Sequence, residues 1–360
     1  MRTFQCERCG QTVFFENTRC EACGAHLGFD PIGLTMRAYE VDDAGAWTHL
    51  GSPAEKWRPC HNYITHQACN WMVAETDEEP MCVSCRHTDV IPDLTRLDSL
   101  MLWARMEAAK RRLFYTLLAL KLPIPSRAEA PENGLVFHFK EQLSPEEPVM
   151  TGHASGLITV NLAEADDVIR EATRRDMGEP YRTLLGHFRH EIGHFYWDQL
   201  VAGTAWEARV TAAFGDAQQD YAEALKRHYE QGPPADWAAR FISSYAASHP
   251  WEDWAETWAH YLHISDALDT AAHWHVGFLA PKGEHSPAPE VLPGQEPTHS
   301  FRRRLAVEWL PLARFLNSMG RSLGQGDLYP FTMPDPVLDK LCLVHEIVTQ
   351  RASDDAPPAA

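Results

Sequence analysis

"GHFRHEIGHFYW", residues 186–197, holds His190-Glu191-Ile192-Gly193-His194, the pattern H-E-x-x-H. On a helix, residues four apart stand one above the other, so His190 and His194 would face one way and could grip a single zinc ion. The chain carries 19 histidines, so the pattern gains meaning only from its surroundings. On a helical wheel Leu185, Phe188, Ile192 and Phe195 form one apolar stripe, and His187, His190 and His194 fall on another face. Burying the stripe would leave the histidines lining a cleft. A solvated polar face without metal has the same pattern.

A catalytic zinc takes three protein ligands and keeps one position for water. The stretch "SSYAASHPWEDWAETWAHYLH", residues 243–263, offers the third ligand. Glu252 and Glu256 stand four apart on a predicted helix, opposite an apolar face of Trp251, Trp254, Trp258 and Leu262. Taken alone, two glutamates at that spacing read as readily as a solvated helix face.

The cysteines are concentrated at the start. Cys6, Cys9, Cys20, Cys23, Cys60, Cys69, Cys82 and Cys85 all fall within the first 85 residues, and only Cys342 lies outside. The C-x-x-C pairs Cys6/Cys9, Cys20/Cys23 and Cys82/Cys85 suit tetrahedral thiolate coordination of zinc in a reducing compartment better than disulfides. Cys6, Cys9, Cys20 and Cys23 read as the two knuckles of a zinc ribbon. The quartet Cys60, Cys69, Cys82 and Cys85 is less regular, and His61, His66 or His87 could replace one of its thiolates. Cys342, inside "LDKLCLVHEIV", reads as a core residue.

A chain of 360 residues, 44% hydrophobic and 23% charged, is an ordinary globular composition with room for two or three domains. Its net charge of −18 argues against nonspecific binding to nucleic acid or to anionic membranes. Residues 1–95 hold seven Lys and Arg against fourteen Asp and Glu. The ribbons should therefore repel phosphate backbones, and a structural or protein-binding role is expected for them. No apolar run is long enough to span a membrane, and "MRTFQCERCG" has no apolar core of a secretory signal. A cytoplasmic protein is expected.

A long helix is predicted over about 98–122, followed by strands in "LVFHFKE" and "SGLITVNLAEAD", with a helix beginning near Glu164. The pattern is then mainly helical to about residue 275. Residues 280–297, rich in Pro and Gly, read as an exposed loop. "FRRRLAVEWLPLARFLNSMGRSL" and "PVLDKLCLVHEIVTQR" read as further helices. The fold expected is α+β: a zinc-ribbon module over 1–95, a mainly helical zincin-like metallopeptidase domain over 96–350, and a disordered tail over 351–360. The strand "SGLITVNL" is expected to offer an edge to an extended peptide.

"YRTLLGHFRHEIGHFYWDQLV", the cysteine-rich start, "CNWMV" and "DLYPF" together resemble the bacterial zinc-ribbon proteins that carry a zinc metallopeptidase domain. The resemblance covers nearly the whole chain and implies an architecture rather than a substrate. A more distant similarity, to lethal-factor-type toxin proteases, concerns "YAASHPWEDWAE". In those enzymes H-E-x-x-H is followed by a Tyr, the liganding Glu seven residues later, an apolar triplet and a second Glu. Carried over, this implies Glu252 as ligand, Glu256 as the partner of a ligand imidazole and Tyr245 as a transition-state donor. Asp253 within the triplet and a longer gap after His194 depart from that pattern and leave Glu252 and Glu256 both open.

The expected function is a zinc-dependent metallopeptidase acting on a peptide or protein substrate, with one catalytic and two structural zinc ions. Zinc on His190, His194 and Glu252 would activate water, Glu191 would serve as general base and Tyr245 would stabilise the oxyanion. Glu256 or Asp216 could orient a ligand imidazole. The alternative is a catalytically silent zinc-binding adaptor for protein interaction or regulation. The intact Glu191 speaks against it, because a binding-only site needs no base.

Overall fold

The computed structural model describes residues 2–144, 146–176, 182–277 and 297–354. The chain packs as two compact units, one over Met1–Gly178 and Arg182–Phe188, the other over Glu179–Tyr181 and Arg189–Ala360.

The first unit opens with the ribbon strands. β1 (Phe4–Gln5) pairs antiparallel with β2 (Thr12–Val13), and β3 (His26–Asp30), β4 (Thr35–Val41) and β5 (Trp47–His49) form an antiparallel sheet. β6 (Trp57–Pro59) precedes a short helix α1 (His61–Thr65) and pairs antiparallel with β7 (Met72–Ala74). These strands are too short for a large core, so the thiolate sites and one aromatic cluster hold them. Phe15, Phe29, Trp71 and Tyr115 pack edge-on and tilted with ring centroids 4.8–6.1 Å apart.

β8 (Thr88–Val90), α2 (Ser99–Ala119) and β9 (Val136–Lys140) follow as strand, crossover helix and parallel strand. β10 (Gly152–Ala154) and β11 (Leu157–Asn161) complete a four-stranded sheet of order β10-β11-β9-β8, antiparallel only at β10. The alternation seen in the sequence is the burial pattern: Phe137, Phe139, Ile158 and Val160 are all buried, with Phe188 packed on the two phenylalanines. One expectation is corrected here. β11 is an inner strand, and the edge beside it belongs to β10, whose "GHA" has too little apolar patterning to be read as a strand. β8, within the segment expected as the ribbon module, pairs with β9 at the other edge. The helix expected near Glu164 is a 3₁₀ turn over Leu162–Ala165, and α3 (Asp167–Asp176) begins after it.

α4 (Leu184–Leu200) runs through the division between the units. The second unit continues with α5 (Glu207–Phe214), α6 (Tyr221–Gln231), α7 (Pro250–His273), α8 (Pro297–Arg304), α9 (Leu310–Ser322) and α10 (Asp335–Asp354). A π-helical turn over Leu305–Trp309 joins α8 to α9 where Pro311 lacks an N–H to continue the ladder. Buried Trp254, Trp258, Tyr261, Leu305, Trp309, Leu341 and Val344 form the core, and Cys342 is buried as expected. The helix α10 reaches Asp354 and so takes in the first residues of the expected tail. The rest of that tail, 355–360, and nearly all of the expected loop 280–297 lie outside the described residues. Among the described residues no helix is long and apolar enough to cross a membrane.

Candidate metal centre

The site is assembled where α4 and α7 cross in the second unit. The helices approach closely because the crossing residue is Gly193. A Cβ there would lie 3.0 Å from Ala255 Cα and 3.1 Å from Trp258 Cβ. The carbonyl of Gly193 accepts a hydrogen bond from Trp254 Nε1 at 2.8 Å, which pins the crossing. α7 places Glu252 in its first turn. Pro250 supplies the first helical residue, and His249 Nδ1 accepts from the Trp251 N–H at 3.1 Å as a cap.

This crossing brings His190, His194 and Glu252 together, with one potential ligand atom of each within 4.8 Å of the others. His190 Nε2 lies 3.0 Å and His194 Nε2 3.6 Å from Glu252 Oε2. The other nitrogen of His190, Nδ1, meets Glu256 Oε1 at 2.8 Å and so carries the proton. In the neutral form that a metal ligand takes, His190 Nε2 presents its lone pair to a carboxylate oxygen. Two acceptors at 3.0 Å in a buried site repel unless a cation lies between them. Zinc bonds of about 2.0–2.1 Å in a tetrahedron separate neighbouring N and O ligands by about 3.3 Å, which matches these distances. The donor set therefore fits zinc.

Both glutamates of the site have a partner behind them. Glu256 Oε2 accepts from Ser243 Oγ at 2.6 Å, and that oxygen accepts from the Ala246 N–H at 3.0 Å. Glu252 Oε1 accepts from Tyr221 Oη at 2.7 Å. Burial alone would raise the pKa of Glu252, and the Tyr221 hydroxyl on Oε1 favours its charged form. Burial opposes ionisation of Glu256 too, and its bond to His190 brings it down to about 2.

Glu191, one residue beyond His190, is 9% exposed and belongs to no ligand set. Tyr245 opens a 3₁₀ turn, with its ring 5.9 Å from that of His190. Trp251 departs from expectation: while Trp254, Trp258 and Leu262 are fully buried, Trp251 stacks on His194 with centroids 3.8 Å apart. Asp216 is also corrected. It is exposed and accepts from the Gln218 N–H at 2.9 Å in its own turn, whereas Glu256 is the carboxylate on the His190 ring. Tyr221 and Ser243 escaped the sequence reading. Asp220 and Glu223 give a helix-start signal at Tyr221, but nothing local says that this helix meets α7.

The first unit holds the two cysteine quartets. "CERCG" and "CEACG" fold alike: Gly10 and Gly24 both have φ +75°, and their N–H groups return to the Cys6 and Cys20 carbonyls at 2.8 Å. Cys6 and Cys23 sulfurs are 3.7 Å apart, Cys9 and Cys20 3.6 Å, and Cys69 and Cys82 3.8 Å. Zinc–sulfur bonds of about 2.3 Å give a tetrahedral edge of about 3.8 Å. In the second quartet the N–H groups of Cys82, Trp71 and Cys85 point at the sulfurs of Cys60, Cys69 and Cys82, which favours thiolates. Among the described residues no histidine joins it. His61 is exposed, His66 packs on Trp103, and both nitrogens of His87 face the backbone carbonyls of Val83 and Ile124.

Comparison with known proteins agrees with this chemistry. Residues 99–347 match the family described as "Putative zinc-binding metallo-peptidase", and residues 3–96 match a zinc-ribbon domain. An uncharacterized protein of Mycobacterium bovis is 45% identical over 358 residues, covering 99% of this chain and 98% of the relative. Uncharacterized proteins from two strains of Mycobacterium tuberculosis share the same identity and coverage. No solved structure gives a significant match. The chain belongs to the zinc-binding metallopeptidase family so described, with a zinc-ribbon domain ahead of the metallopeptidase domain.

Proposed function

We propose that this protein is a zinc-dependent peptidase that hydrolyses peptide bonds with Glu191 as general base. One observation carries the reading. One ligand atom each of His190, His194 and Glu252 lies within 4.8 Å of the others, close enough to share one cation, and the residue after His190 on the helix is a carboxylate outside that set. Zinc, when bound, supplies Lewis acidity that brings the pKa of water towards neutrality. Glu191 takes the proton as water attacks the peptide carbonyl and hands it to the leaving amine. Tyr245 offers its hydroxyl to the developing oxyanion. Glu256 holds the Nδ1 proton of His190, which keeps Nε2 aimed at the metal. The two cysteine quartets hold structural zinc in a reducing, cytoplasmic setting. The substrate is a peptide or protein rather than a nucleic acid, given fourteen acidic residues against seven basic ones in the ribbon segment.

Comparing newly formed protein N-termini in cells expressing wild type or Glu191→Gln tests the reading. Termini found only with wild type support it and name substrates, and their absence favours a binding-only zinc site. Elemental analysis is expected to give about three zinc ions per chain, one for each ligand cluster. A mild chelator should strip the catalytic ion and abolish activity before the ribbons unfold. About one zinc per chain, with reactive thiols at Cys60 to Cys85, would remove the second structural site. Tyr245→Phe should keep its zinc and lose about 10²–10³ in kcat with little change in KM. Unimpaired turnover would exclude Tyr245 as the oxyanion donor.

A further inference from the structure

We infer that Tyr221 is a positioning residue of the metal centre, fixing Glu252 as a ligand through one oxygen only. The inference rests on the reading of His190, His194 and Glu252 as a zinc site. A carboxylate can offer a metal one oxygen or both, and a bidentate Glu252 would occupy space that the attacking water needs. Here the two oxygens are already divided. Oε2 faces His190 Nε2 at 3.0 Å and His194 Nε2 at 3.6 Å, while Oε1 accepts the Tyr221 hydroxyl proton at 2.7 Å. Glu252 is 1% exposed, so water cannot readily replace that phenol.

Tyr221 is itself held from several sides. Asp220 caps α6 by accepting from the Glu223 N–H at 3.0 Å, which sets Tyr221 at the first turn. Its ring packs edge-on to His249 and Trp251, with centroids 5.2 and 5.7 Å away. The same His249 caps α7 with one nitrogen, and its other nitrogen lies 3.3 Å from the Gln219 carbonyl just before α6. One imidazole thus ties the segment carrying Tyr221 to the start of the helix carrying Glu252.

The test is Tyr221→Phe in the full chain, with the catalytic site loaded first with zinc and then with cobalt(II). Phe keeps the ring and its packing and removes only the hydroxyl. Retention of zinc at both cysteine quartets shows that the variant is folded. Four-coordinate cobalt absorbs visible light far more strongly than five-coordinate cobalt, so the variant's band should lose intensity as the freed oxygen joins the metal. Competition with a chelator should show affinity at this site weakened about 10–100-fold. A cobalt spectrum and an affinity equal to wild type would overturn the role given to Tyr221. Neither readout depends on turnover. A wild type that binds metal but cleaves nothing overturns the peptidase reading while the spectral comparison still decides for or against Tyr221. A wild type that takes up no metal here overturns both.

Discussion

Glu191→Gln is expected to lower peptide turnover by about 10²–10⁴ while zinc content and thermal stability stay near wild type. The substitution preserves the size and polarity of the side chain and removes only its capacity to accept a proton. Glu191 stands outside the set of atoms that converge on the metal, so ligation is untouched. It is also largely buried on the rigid helix α4, so the amide should occupy the same position and KM should change little. Zinc analysis, a thermal melt and a single-turnover assay on one preparation separate these effects. Turnover equal to wild type would show that this site is not the catalyst. A variant that loses zinc or stability along with activity would leave the base unproved and point to a structural role for the carboxylate.

The parts of this architecture that depend on short sequence spacings were legible before the fold was known. A step of four residues from His190 to His194 means one helix face wherever that helix lies. C-x-x-C followed by glycine closes a knuckle by itself, because the glycine N–H returns to the first cysteine's carbonyl within the same turn. Tyr245, Glu252 and Glu256 gained their roles only through the resemblance to lethal-factor-type proteases, because two glutamates four apart on a helix read as readily as a solvated face. What the sequence did not yield depends on which elements become neighbours. Tyr221 lies 31 residues from Glu252 and reaches it only because α6 ends up beside α7. Asp216 was an equal candidate by composition, yet a short turn satisfies it locally and leaves it exposed.

The sheet shows the same division. Alternation marked β9 and β11 as strands, and both bury the predicted side chains. Alternation carries no information on strand order, which is why β11 was taken for an edge although β10 covers it. β8 is three residues long and has only one strongly apolar side chain, so its addition to the same sheet left no periodic trace. Trp251 was grouped with Trp254 and Trp258 by helical phase. As the second residue of α7 it lies where that helix has just begun, and its ring covers His194 instead of entering the core.

Glu252→Ala is expected to empty the catalytic site and reduce turnover to background, while Glu256→Ala keeps a weakened site. The two glutamates stand one turn apart on α7, and both touch His190, but through different atoms. Glu252 meets His190 Nε2 and His194 Nε2, the pair that one metal ion must share, whereas Glu256 meets only Nδ1 on the far side of the His190 ring. Removing Glu252 leaves two neutral imidazoles, too few ligands for a stable catalytic zinc. Removing Glu256 frees the His190 ring to turn and lowers its basicity, a loss of about 10–100-fold in metal affinity that excess zinc should restore. Titration with a competing chelator, with the two cysteine-bound ions as the internal standard, distinguishes the variants directly. Zinc retained by Glu252→Ala and lost from Glu256→Ala would reverse the assignment and move the third ligand one turn along the helix.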